Sequence, residues 1–209
     1  MTTPSPHEPV YADRVYRSSM AVVSGVLLLA LVAWLCGDAV VRGEGSARWV
    51  GAAVALFAVP LIVAFTLRPA VFANDDRMRI RNPFRIIELP WAAVDAVRAG
   101  YSAEVLAEGS KYQLWSVPVS LRERKKAGRQ FSRGNALRGK GMDASADAAE
   151  PTAPPRASSD RVVDELRELA ERGAGRPGAQ GGVRVRWAYE IIAPAVVGAV
   201  LLAVLLATG

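Results

Sequence analysis

RMRIRNPFRIIELPW, residues 77–91, decides how the middle of this chain folds. Arg77, Met78, Arg79, Ile80 and Arg81 alternate strictly between charged and apolar. That is the two-residue period of a strand with one buried face. Asn82-Pro83 marks a turn, since proline fixes its own φ and donates no amide to a ladder. Ile86-Ile87-Glu88-Leu89 resumes the strand and Pro90 ends it. The stretch therefore predicts a β-hairpin. Met78, Ile80, Ile87 and Trp91 belong to its core, and the arginines point outward.

The flanks have the same texture. Ala70-Val71-Phe72-Ala73 is a short apolar run, closed by the turn signal Asn74-Asp75-Asp76. Trp91 to Val97 reads as a helical turn or a further strand. Val105-Leu106, a turn at Glu108–Lys111 and the run Tyr112–Val117 read as a second hairpin, with Trp115 as another core anchor. Short strands at this spacing predict a small antiparallel sheet or partial barrel over residues 68–120.

Residues 158–173 carry a different period. Val162, Val163, Leu166, Leu169 and Ala170 fall on one helical face, with Glu165, Glu168 and Arg172 opposite. Ser159 or Asp160 is placed to cap the start, and Gly173 the end. So short a helix is marginal alone in water. It is expected to lay Val162 and Leu166 on the sheet. Between sheet and helix, residues 121–157 run from a basic stretch into an Ala/Pro/Ser-rich one. Neither buries much apolar surface, so disorder is expected. Residues 174–186, which begin the Gly-rich stretch before the last apolar run, are expected to form a flexible tether.

Three apolar runs surround this middle. Met20–Cys36 has 17 residues without a charge and Trp49–Leu67 has 19. Ile191–Thr208 is the third, with Trp187 and Tyr189 as aromatic anchors before it. A bilayer core takes about 20 helical residues. The prediction is a transmembrane hairpin over 19–67 with a kink near Pro60, behind a tail at 1–18, and a third span over 187–208. Gly25, Gly51 and Gly198 are candidates for close helix packing. Residues 68–187 hold 22 of the 26 basic residues. Basic loops stay inside, so this segment and the N-terminus are expected in the cytoplasm of a bacterium, and the C-terminus outside its plasma membrane. Glu190, at the edge of the last run, is placed to pair with Arg17 or Arg68.

Chemistry-bearing patterns are sparse. The chain has one histidine, His7, and one cysteine, Cys36. That supplies neither a disulfide nor a metal cluster, and no nucleophile has a histidine partner. No enzyme activity and no cofactor are expected. Asp75 and Asp76 read as turn residues. Arg77, Arg79, Arg81 and Arg85, with Arg124, Lys125 and Lys126 of the basic stretch, are the candidate contacts to anionic lipid or to a protein partner. Solvation and the inside bias of positive charge explain the same residues without a ligand. Nucleic acid is disfavoured as a partner, because Phe131 is the one aromatic residue in the 122–140 run.

Arg81-Asn82-Pro83 with Ile87, Pro90-Trp91, Val94 and Val97, set among strands and followed by an amphipathic helix, resembles the PH-like domain of the actinobacterial low-molecular-weight protein antigen family. The resemblance covers residues 15–120, with 158–173 as the family's closing helix. It implies a bent antiparallel sheet capped by that helix, beside membrane helices. It also implies an interaction module rather than an enzyme. The expected role is scaffolding or regulation of a membrane or cell-envelope complex. Anionic-lipid sensing and a place as a transporter's accessory subunit are the alternatives.

Overall fold

The computed structural model describes residues 14–99, 102–117 and 158–208. The disorder expected at 121–157 falls outside the described residues.

The hairpin forms where the alternation places it. Strand β3, Arg77–Arg81, pairs antiparallel with β4, Arg85–Pro90, in the register Met78 to Leu89 and Ile80 to Ile87. That register puts all four apolar side chains on one face, and each is buried. Strand β2, Ala70–Ala73, flanks β3. The turn between them is built by Asn74, whose Oδ1 accepts from Asp76 N at 3.0 Å and Arg77 N at 2.8 Å.

Two further strands complete this sheet, one from the segment read as an N-terminal tail and one from the segment read as a flexible tether. Arg14–Tyr16, in the N-terminal tail, is β1 and pairs with β2. Arg184–Trp187, in the tether and the first residue of the expected third span, is β8 and pairs with β4. The sheet order is β1-β2-β3-β4-β8. The tether is ordered before that strand too, with a 3-10 turn at Pro177–Ala179 and Ala179 fully buried.

The single sheet expected is in fact two. After a 3-10 turn at Trp91–Ala93, β5 (Val94–Ala99), β6 (Ala103–Ala107) and β7 (Ser110–Gln113) form a second antiparallel sheet. The turn from β6 to β7 has positive φ at both Glu108 (48°) and Gly109 (70°). That is the twist-matched two-residue hairpin turn, so β7 starts at Ser110 and ends at Gln113, short of Trp115. Trp91 therefore satisfies both of its readings, as a turn that leads into a strand.

One core joins the two sheets to a helix. Its largest fully buried side chains include Trp91, Met78, Ile80, Leu89, Leu114, Leu166 and Val163. Helix α3 spans Ser158–Gly173 and lies against β5 and the Trp91 turn. It starts at Ser158, so Ser159 and Asp160 sit in its first turn rather than ahead of it. Its buried stripe is Val163, Leu166 and Leu169, while Val162 packs only partly buried at the margin. Arg167 Nε donates to Val97 O at 2.8 Å and fixes the helix to β5. Arg14 on β1 pairs with Glu165 on the same helix. Burial, and Glu165 beside it, push the Tyr16 hydroxyl up to about 12.

Three helices are long and apolar enough to cross a membrane. They are α1 (Ser19–Arg42), α2 (Ala47–Ile62) with its continuation to Leu67, and α4 (Tyr189–Thr208). Ser18 caps α1, its Oγ accepting from Ala21 N. The α1 helix runs past Cys36 and takes in Asp38, which pairs with Arg42 at 3.2 Å. Helix α2 packs against both α1 and α4. Three residues beyond Pro60 the backbone widens to a π-helical turn, Val63–Leu67, with Arg68 N bonded to Val63 O at 2.8 Å. A β-carbon on Gly198 would lie 2.5 Å from Phe57 N, so the absence of a side chain is what lets α4 meet α2. Gly51 plays the same part against Ala39 of α1. Large apolar side chains such as Leu27, Trp34 and Leu206 are exposed along the outside of the bundle.

Strands β1, β2 and β8 connect directly to α1, α2 and α4. The two sheets, α3 and residues 14–16 thus lie together at one end of the three helices.

Candidate functional site

The foot of the five-stranded sheet meets the long helices, and arginines collect there. The register explains why. Ala70 opens β2 immediately after the π-helical turn and pairs with Arg81, the last residue of β3. Tyr16 pairs with Val71, so Arg17 is carried past Ala70 toward the same end. Ile86, the β4 partner of Arg81, pairs in turn with Arg186. Arg68 lies at the end of α2. Four segments distant in sequence thereby bring Arg17, Arg68, Arg81 and Arg186 to one edge.

Arg68 has the most restricted surroundings of the four. Its side chain is only 13% exposed, and Nη1 donates to Glu190 Oε1 at 2.8 Å, joining the end of α2 to the start of α4. This is one of the two pairings expected of Glu190. Nε and Nη2 of Arg68 are buried and have no hydrogen-bond partner among the described residues. An unpaired buried donor on a charged group is unfavourable by about 1–3 kcal/mol or more.

Arg79 and Arg81 hold the ring of Phe72 between them, their guanidinium carbons 5.0 and 5.1 Å from its centroid. The cation–π contact orients both heads. Burial lowers the pKa of Arg81, and the charges of Arg79, Arg68 and Arg17 lower it further. The acids that face this group are Glu190 and Glu88, the latter opposite Arg79 in the ladder.

The candidate contacts read from the sequence therefore do not form one patch. Arg79 and Arg81 belong to the site. Arg77 is at the far end of β3, where Nη2 reaches Gly178 O at 3.5 Å. Arg85 shares the side-chain parity of Ile87 and Leu89, on the other face of the sheet from Arg79 and Arg81. Its head stacks 4.5 Å over Trp187. Arg124, Lys125 and Lys126 lie outside the described residues. Arg17 and Arg68 entered the sequence reading as the candidate partners of Glu190, and closeness to the last span is the signal that marks Arg186.

Trp115 corrects a further expectation. It is 47% exposed rather than a core anchor. Its ring sits 5.7 Å from Phe65 of the π-helical turn, and Phe65 meets Phe84 edge-on at 5.4 Å. Together with Arg85, Lys111 and Tyr112 they line a cavity of about 410 Å³ at the junction of helices and sheets. Asn82 Nδ2 donates to Gln113 O at 2.9 Å and ties the hairpin turn to β7 there. Beyond the end of β7 it is Leu114, its amide bonded to Ala103 O at 2.8 Å, that enters the core, and its neighbour Trp115 lies outside.

Asp75 and Asp76 are turn residues, as read, and both pair with Arg176, at 3.2 and 3.0 Å.

No curated protein and no solved structure matches the chain. Residues 68–148, which carry β2 to β7, match the family model of the bacterial PH domain, and the sheets they form are those of a PH-like domain, a type of module that serves lipid or protein interaction.

Proposed function

We propose that this chain is a non-enzymatic, membrane-anchored interaction module whose PH-like domain scaffolds or regulates a membrane or cell-envelope complex. The observation that carries it is the recruitment of β1 and β8. Both edges of the five-stranded sheet continue into long apolar helices, so three backbone connections hold the domain against the membrane. Such a domain is a platform at fixed height and orientation. The short link from Arg81-Asn82-Pro83 to Pro90-Trp91 supports kinship with the actinobacterial low-molecular-weight protein antigen family. The excess of arginine in 68–187 supports a multi-pass protein of the plasma membrane with this domain in the cytoplasm.

Affinity purification of the full chain in mild detergent tests the scaffold. A stoichiometric membrane or envelope partner is expected, and its recovery should fall when the outer sheet face is altered by Arg79→Ser with Arg184→Ser. If wild type brings down nothing beyond background, the scaffold reading is wrong. A cytoplasm-active reporter in the 140–155 linker checks the orientation.

A second reading has its own support. The outer face of the five-stranded sheet carries Arg79, Arg81, Arg184 and Arg186 around Glu88, beside a membrane. Each such charge near an anionic surface is worth roughly 1 kcal/mol. Direct engagement of anionic lipid is that reading.

A further inference from the structure

The foot of the sheet can be assigned a ligand more closely. Arg68 has one hydrogen-bonding arm on Glu190 and two donors, Nε and Nη2, without a partner among the described residues. Glu190 is 60% exposed and takes only the Nη1 arm of Arg68, so the Nε/Nη2 edge of the fork is left unpaired inside the fold. Arg81 and Arg17 converge there through the ladder, and Arg79 stands beside Arg81 across Phe72. Burial first, and then repulsion among these gathered like charges, lower the pKa of Arg81. An anion with several acceptor oxygens relieves both conditions at once. It accepts from the unpaired edge of Arg68 and screens the neighbouring cations.

The level of the site selects the anion. Arg68 follows the last turn of α2, Arg17 precedes α1 by two residues, and Glu190 lies in the first turn of α4. All three stand where an apolar helix meets its polar end, the depth of phospholipid phosphates when the helices span a bilayer. The planar guanidinium fork matches phosphate oxygens in pairs.

We propose that the unpaired edge of Arg68, flanked by Arg17 and Arg81, binds the phosphate of an anionic phospholipid from the leaflet in which the three helices end, the headgroup displacing the side chains that cover Nε and Nη2. The inference deepens the lipid reading above and rests on the helices being membrane spans. The headgroup seats beneath the five-stranded sheet and the acyl chains run along the apolar helices. Occupancy would then couple local lipid composition to the seating of the PH-like domain.

The test uses the full chain in nanodiscs of phosphatidylcholine with and without phosphatidylglycerol, with native mass spectrometry after gentle release. Wild type should retain one phosphatidylglycerol. Arg68→Gln should weaken retention roughly tenfold, the loss of one charge-assisted fork. Arg81→Ser, which removes a half-exposed side chain and leaves the core intact, should weaken it by a smaller factor, and keeps the test decisive if Arg68→Gln does not fold. Arg98→Gln, on β5 of the other sheet, should retain lipid like wild type. Equal retention by wild type and both site variants overturns the proposal while leaving membrane anchoring intact. Inorganic phosphate that stabilises the detergent-solubilised chain as strongly as phosphatidylglycerol does overturns the lipid as the source of the phosphate. Release of the chain from membranes by alkaline carbonate overturns the site and the span reading together.

Discussion

Trp91 Nε1 donates to Asn74 O at 2.8 Å across the full thickness of the first turn pair. The backbone repeats the link, Trp91 N bonding to Asp76 O. One buried indole thus closes the β2–β3 turn onto the point where the chain leaves the first sheet for the second. Trp91→Ala should destabilise the domain by about 3–5 kcal/mol, the range for a large aromatic lost from a core. Trp91→Phe keeps most of the volume but strands a buried carbonyl, and should be unfavourable by about 1–3 kcal/mol. Thermal or chemical denaturation of the purified chain, followed by near-ultraviolet circular dichroism, ranks the two. Wild-type stability in Trp91→Phe would show that the hydrogen bond contributes nothing.

Leu166 and Val162 lie on one helical stripe but differ in burial. Leu166 is fully buried and Val162 lies at the rim of the core. Leu166→Ala should be unfavourable by about 2–5 kcal/mol, and Val162→Ala by well under half of that. Limited proteolysis near residue 157 would report undocking of α3 in the first variant and not in the second.

Gly198 meets the backbone of α2, whereas a β-carbon on Gly37 of α1 would meet nothing within 4 Å. Gly198→Val should therefore separate α4 from α2, at an overpacking penalty of about 1–3 kcal/mol or more. Gly37→Val should be close to neutral. Disulfide trapping between single cysteines placed on α2 and α4 would fall in the first variant alone.

Arg176 pairs with Asp75 and Asp76, but all three side chains are substantially exposed. Solvent screens such pairs, so Arg176→Ala should change stability by about 1 kcal/mol or less. A loss as large as that of Leu166→Ala would mean that this turn is far drier than its surface suggests.

A fragment of residues 68–175 contains β2 to β7 and α3 but lacks β1 and β8. It leaves both edges of the first sheet unpaired, with Val71 and Ile87 newly uncovered. Such edges invite association. The fragment should aggregate or lose cooperative unfolding in size-exclusion and thermal measurements, where the full chain in detergent does not.

What the sequence by itself determined is what depends on near neighbours. Strict alternation over 77–81 sets which of Met78 and Arg79 faces the core, because successive strand side chains point to opposite faces. The 3.6-residue stripe marks α3, and uncharged length marks the three helices. Tertiary structure alone decided what depends on pairing between distant segments. Arg14–Tyr16 and Arg184–Trp187 are too short to declare themselves as strands. They become strands because β2 and β4 offer free backbone donors and acceptors beside them. The same register sends Arg85 to the opposite face from Arg81, and it gathers Arg17, Arg68, Arg81 and Arg186 from four segments to one edge. Trp115 is left outside the core because its neighbour Leu114 fills the place beside Ala103. Local periodicity states which face a side chain takes, and only the closed ladder states what stands across from it.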